Sequence, residues 1–132
     1  NEKIDPLFCS HDKYAFINFC DNLNQGYWNG FDESIRKDFP RDHDNIRMLH
    51  YESMRGLEGW LVVLDEIDQY YNYLVKQRNS PLTEDDAKKR LLISLTRSID
   101  TLVISIKDKN SEFSKMLMDI CEKNKDFVEF HK

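Results

Sequence analysis

All four glycines of this 132-residue chain, Gly26, Gly30, Gly56 and Gly59, lie in its first half. Two-residue β-hairpin turns need positive φ and so favour glycine, and the chain beyond Trp60 has none to offer. Apolar residues point the same way. Leu91-Leu92-Ile93 and Leu102-Val103-Ile104 are contiguous rather than alternating, and alternation is the mark of a half-buried strand. Together these features predict an all-α fold: a single-domain helical bundle of four main helices, with one or two short helices between residues 30 and 45.

The helices can be placed. The first runs from Ser10 to Asp12 up to about Asn24, burying Tyr14, Ile17 and Cys20 with Phe16 and Leu23 beside them, and Gly26 stops it. Residues 46 to 78 carry an apolar stripe at Met54, Leu57, Leu61, Leu64, Tyr71 and Val75. Unbroken, that helix would be about 50 Å long at 1.5 Å per residue, longer than the roughly 36 Å diameter of a compact chain of this size. A bend or break at Gly56 and Gly59 is therefore expected. After Asn79-Ser80-Pro81, Thr83 followed by Glu84, Asp85 and Asp86 reads as an N-cap with an acidic first turn, opening a helix out to about Lys107. The last helix starts at Asn110 or Ser111, and Phe127, Val128 and Phe130 predict a tail that packs back on the bundle.

Composition bounds the rest. At 40% hydrophobic and 33% charged, residues 1-132 read as one soluble globular domain with no spanning segment, neither a disordered tail nor a membrane protein. Cys9, Cys20 and Cys121 cannot all pair within the chain and show no C-x-x-C spacing, so a reducing, cytoplasmic setting is the default expectation. A net charge of −5 argues against nucleic acid as a ligand. No Walker A loop, G-x-G-x-x-G or G-x-S-x-G occurs, and no cofactor is implied. His43 and His50 are seven apart and no E-x-x-H or H-x-x-x-H exists, so no metal site is expected.

Charge is unevenly spread. Residues 1-45 hold 9 Asp/Glu against 5 Lys/Arg, a balance of −4, while residues 46-132 hold 15 against 14, a balance of −1. The acidic third includes Tyr27, Trp28 and Phe31 among turn formers, ringed by Asp32, Glu33, Asp38, Asp42 and Asp44. Aromatic anchors inside an acidic rim suit a protein partner with a basic surface. Tyr70, Tyr71 and Tyr73, near Asp65, Glu66 and Asp68, form a second aromatic-acidic segment in which helical geometry keeps at least one ring from the core.

The first functional reading is thus a non-enzymatic acidic binding protein, an inhibitor, immunity protein or adaptor that occludes a basic site on its partner. The second rests on Arg36 and His43, whose separation fits the R-x4-6-H pattern of the small helical ribonucleases of the HEPN superfamily. That resemblance implies RNA cleavage by these two side chains. The third is a structural subunit of a larger assembly.

Overall fold

The computed structural model describes residues 6–22, 26–36, 46–53 and 57–131. It is an α/β structure built on a parallel sheet, which overturns the expected all-α helical bundle. In chain order the elements are β1 (Pro6–Ser10), α1 (Lys13–Asn22), β2 (Tyr27–Asn29), α2 (Glu33–Arg36), β3 (Ile46–His50), β4 (Gly59–Leu64), α3 (Ile67–Asn72), α4 (Glu84–Leu95), β5 (Ser98–Ile104) and α5 (Glu112–Glu122). A 3-10 turn, Tyr51–Ser53, follows β3, and a π-helical turn, Tyr73–Gln77, extends α3. The five strands pair in the order β2-β3-β1-β4-β5, every pair parallel.

The apolar runs misled because a parallel strand covered on both faces is a continuous hydrophobic segment, with no alternation to read. The glycine pattern misled because parallel strands are joined by crossovers, which need no hairpin turn. The stripe over 46–78 therefore divides into β3, β4 and α3, and Gly59 opens a strand. The helix expected to reach Lys107 ends at Leu95. There the Thr96 hydroxyl donates to Leu92 O (2.8 Å) and Arg97 Nε donates to Ile93 O (2.8 Å), closing the last turn. Beyond it Ile99, Thr101, Val103 and Ile104 are β-branched and suit β5.

Elsewhere the local chemistry behaves as the sequence suggests. Thr83 caps α4, its Oγ1 accepting from Asp86 N (3.2 Å), and Ser111 caps α5 by accepting from Ser114 N (3.2 Å). In α1 Cys20 is fully buried, but Tyr14 is 61% exposed. The tail does not pack back: Phe127 is 90% exposed.

Strand alternation sorts the core. Leu7, Cys9, Leu49, Val62 and Leu64 share one face and cluster with Ile67, Tyr70, Tyr71 and Leu74 of the α3 region, Ala87 and Leu91 of α4, and Phe113 of α5. Full burial is worth roughly 1.5–3 kcal/mol for each large apolar side chain, so this cluster carries the sheet. Phe8 and Met48 point to the opposite face and are also buried. The crossover from β1 to β2 runs one way along the sheet and that from β4 to β5 runs the other. Right-handed crossovers then set α1 on the opposite face from α3 and α4.

Gly30 shows how tightly β2 closes on β3. Its N–H donates to Met48 O (2.7 Å), and a Cβ there would sit 2.7 Å from that same backbone oxygen and 2.8 Å from the Trp28 ring, besides overlapping Leu49. Two of the three obstacles are a strand backbone and a packed ring. Gly30→Ala should therefore lower stability by about 1–3 kcal/mol in urea unfolding, and a loss under about 0.5 kcal/mol, the range of ordinary surface changes, would show that the strand end yields.

Candidate functional site at the carboxyl edge of the sheet

In an open parallel sheet, ligands bind beyond the carboxyl ends of the strands, where crossovers leave in opposite directions. Here β1 and β4 are neighbours whose crossovers diverge. The residues just past these ends are His11 and Asp12 after β1, Tyr51 and Glu52 after β3, Asp65 and Glu66 after β4, and Ser105 after β5, with Ser10 closing β1 and His50 closing β3.

Asp65 braces this edge. Its Oδ2 accepts from Ser10 Oγ (3.0 Å) and its Oδ1 from Ser105 Oγ (3.2 Å), so one carboxylate joins the ends of three strands. Its N–H donates to Cys9 O (2.8 Å) and its carbonyl accepts from Tyr51 Oη (2.6 Å). Glu66 follows in the left-handed region, at φ 46°, which an L residue adopts at some cost. Its N–H is held by Ser105 Oγ (2.8 Å), and burial, with Asp65 beside it, pushes the Glu66 carboxyl upward. Asp68, wholly buried, accepts from the N–H groups of Lys107 (3.0 Å) and Asp108 (2.9 Å), pinning α3 to the turn after β5.

Above β1 and β3 two imidazoles meet, with His11 Nδ1 3.0 Å from His50 Nε2. Their tautomers follow from a third group. Glu52 N–H donates to His50 Nδ1 (3.1 Å), so that nitrogen is an acceptor and the proton of neutral His50 lies on Nε2. Nε2–H then donates to His11 Nδ1, which leaves the His11 proton on Nε2. That outer N–H has no hydrogen-bond partner among the described residues. Burial, and then His11, hold His50 below its ordinary value, against the nearby Glu52 carboxylate. No group of three His, Cys, Asp or Glu that could hold a metal ion is found among the described residues. The tautomer agrees, because His50 Nε2 could ligate a metal only by moving its proton against the Glu52 N–H.

Aromatic rings surround the pair. His11 tilts over Tyr73 (4.4 Å between centroids), Phe31 meets His50 edge-on (5.9 Å), and Tyr70 lies 5.9 Å from His11 and 6.0 Å from His50. Behind them Tyr70 stacks on Tyr51 (4.4 Å, 8°), both buried. His11, His50, Phe31 and Tyr73 are half-buried, so their faces and edges reach solvent.

The residues singled out from the sequence divide among several places. Phe31 belongs to this cluster. Trp28 packs against the core, and Tyr27 Oη donates to Asp21 Oδ1 (3.4 Å), away from the imidazoles. Asp32 caps α2, its Oδ1 accepting from Ser34 N (2.9 Å) and Ser34 Oγ (2.6 Å), bonds that hold its carboxyl below the usual range. Glu33 is exposed and pairs with Arg36 (3.7 Å), whose guanidinium also donates to Ser53 Oγ (3.1 Å). Asp38, Asp42, Asp44 and His43 lie outside the described residues. Of the tyrosine segment, Tyr70 and Tyr71 are buried, Tyr71 stacked on Phe113 (4.3 Å), and Tyr73 is the half-exposed one. The His11–His50 pair was missed. The available signal was position: each histidine ends or follows a short apolar run, PLFCS and IRML.

Comparison with protein-family models, with curated proteins and with solved structures found no match. No helix among the described residues is long and apolar enough to cross a membrane.

The half-buried His50 makes stability depend on pH. Because His50 is depressed below 6.5 in the folded state, the unfolded chain binds more protons between that depressed value and 6.5, and stability rises with pH through this window. Urea midpoints should be lower at pH 5 than at pH 7.5, and His50→Gln should flatten the difference. An unchanged slope in that variant would place the dependence elsewhere.

Proposed function

We propose that the protein binds a nucleoside-like molecule, a flat nitrogen-containing ring joined to a hydroxyl-bearing sugar, at the carboxyl edge of its sheet above β1 and β3. The observation that carries this reading is the neutral imidazole pair of locked tautomer, set among half-exposed rings at the position where open parallel sheets take their ligands. A flat ring gains most from stacking on such faces. The outer His11 N–H supplies a donor for a ring nitrogen or carbonyl. Asp12 and Glu52, both exposed beside the pair, can accept from sugar hydroxyls. A phosphate at the start of α1 is disfavoured, since the Asp12 carboxylate already caps that end by accepting from Tyr14 N (2.9 Å).

Adenosine is a suitable probe. It should saturably shift the imidazole resonances of His11 and His50, and His11→Ala should weaken its binding about tenfold, equivalent to about 1.4 kcal/mol. Imidazole signals unmoved by adenosine and by other purine and pyrimidine nucleosides would overturn the reading.

A second reading, a basic protein partner gripped at the same edge, is favoured by Phe31, whose half-buried ring is followed by exposed Asp32 and Glu33. Steering by rim charges predicts that Glu33→Lys slows association and reduces its salt dependence. Equal rates for wild type and variant across salt concentrations would remove Glu33 from that surface.

A further inference from the structure

Neutral His11 and His50 leave no ring nitrogen free to take a proton. Glu52 N–H donates to His50 Nδ1 (3.1 Å), and His50 Nε2–H donates to His11 Nδ1 (3.0 Å), so both acceptor nitrogens are in use. A proton that enters on His50 lands on Nδ1 and faces the Glu52 N–H, donor against donor. A proton that enters on His11 Nδ1 makes His50 Nε2 the acceptor, which sends the His50 proton to Nδ1 with the same result. Every protonated form that keeps the two rings bonded therefore loses the Glu52 N–H bond.

Glu52 offers two different partners to the same nitrogen. It lies exposed in the 3-10 turn Tyr51–Ser53, and its carboxylate is a neighbour of His50. A neutral Nδ1 takes the N–H, whereas a protonated Nδ1 rejects it and attracts the carboxylate. The other titratable groups around the pair are Tyr70 of α3, Tyr73 of the π-helical turn, Tyr51 behind Tyr70, and Asp12 of the loop after β1. On the Phe31 side, Asp32 caps α2 and Glu33 pairs with Arg36. Burial and His11 oppose a charge on His50, and the Glu52 carboxylate is the group that favours it.

We infer that the imidazole pair and the Glu52 turn form a proton-operated switch, which holds a ligand at the carboxyl edge while the pair is neutral and releases it when the pair takes up a proton. In the neutral form His11 offers its outer N–H and the Glu52 carboxylate is open to a ligand hydroxyl. In the protonated form that carboxylate is drawn to His50 Nδ1, and the ligand loses an acceptor. Affinity is then highest above the ordinary imidazole value of 6.5 and falls as pH drops below it. Linkage is reciprocal, so bound ligand opposes proton uptake. The inference rests on the preceding reading only for the identity of the ligand; the switch itself rests on the hydrogen bonds of His50.

Nuclear magnetic resonance of the full chain without ligand tests the switch. As pH is lowered from 7.5 to 5, the first proton should move both imidazoles and the Glu52 amide in one step. Imidazoles that stay neutral, that titrate separately, or that take up a proton while the Glu52 amide stays in place overturn it. Adenosine, uncharged at both pH values, should bind at least about tenfold more weakly at the lower one. His50→Gln keeps a side-chain N–H for His11 Nδ1, cannot take up a proton, and can turn its amide oxygen to a protonated His11 without drawing in the Glu52 carboxylate. In that variant the fall should shrink below about threefold. A fall of the same size in the variant overturns the inference. Adenosine bound equally well at the two pH values sinks the inference and spares the nucleoside reading. The coupled step without any adenosine response supports the switch and sinks the nucleoside reading instead.

Discussion

One carboxylate sets the geometry of the carboxyl edge. Asp65 receives hydroxyls from Ser10 and Ser105, donates its own N–H to Cys9 O and takes the Tyr51 hydroxyl on its carbonyl. These bonds reach β1, β4, β5 and the turn after β3. Ser10 immediately precedes His11, and Tyr51 immediately follows His50, so the brace fixes the chain on one side of each imidazole. The second support is Asp68, whose two oxygens hold the turn after β5 through Lys107 N and Asp108 N. Because α3 is thereby tied to the end of the sheet, Tyr70 and Tyr73 project over the strands. The site is a consequence of how the strand ends are fastened.

The fold was legible only in its local chemistry. Thr83 and Ser111 cap helices because a side-chain oxygen three residues before a free N–H is a local matter, readable in a short window. What the window could not supply was the burial of both faces. Leu61 to Leu64 and Leu102 to Ile104 form runs whose neighbours lie on other strands, as in Val62 beside Leu7 and Leu102. Covered on both sides, such strands lose the alternation that identifies them. Flanking features carried the missing information. Each run is short, is rich in β-branched residues, and is followed within a few residues by polar turn formers, whereas the helical reading had to join several runs into one stripe and then break it.

The site was less legible still, for a related reason. His11 and His50 are 39 residues apart, and only parallel pairing of β1 with β3, which sets Ser10 beside His50, brings them together. Helical spacing tests cannot detect a pair made by strand register. Tyr51 was likewise invisible, since its partner Tyr70 stands on a different element. Tyr27, Trp28 and Phe31 stand close together in the sequence, and that proximity concealed a division of labour. Trp28 faces the core, Tyr27 turns towards Asp21, and Phe31 reaches the imidazoles. Alternation along β2 separates Tyr27 from Trp28, and Phe31 lies in the turn beyond the strand.

Counting carboxylates also gave a poor measure of what this edge offers a ligand. Asp12 and Asp32 spend acceptor capacity on helix starts, and Asp65 and Asp68 spend both oxygens on strand and turn ends. A carboxylate that accepts backbone and hydroxyl donors has part of its charge answered locally, so its pull on a distant cation is reduced. A donor of the same edge is in the opposite position. The outer N–H of His11 has no matching acceptor among the described residues. Asp65 and Asp68 are taken up in fastening strand and turn ends, and what remains at this edge is the outer His11 N–H beside the exposed Asp12 and Glu52 carboxylates. The chemistry open to a ligand is therefore set by what the fastening leaves over, which here suits a molecule that offers an acceptor to His11 and donors to Asp12 and Glu52.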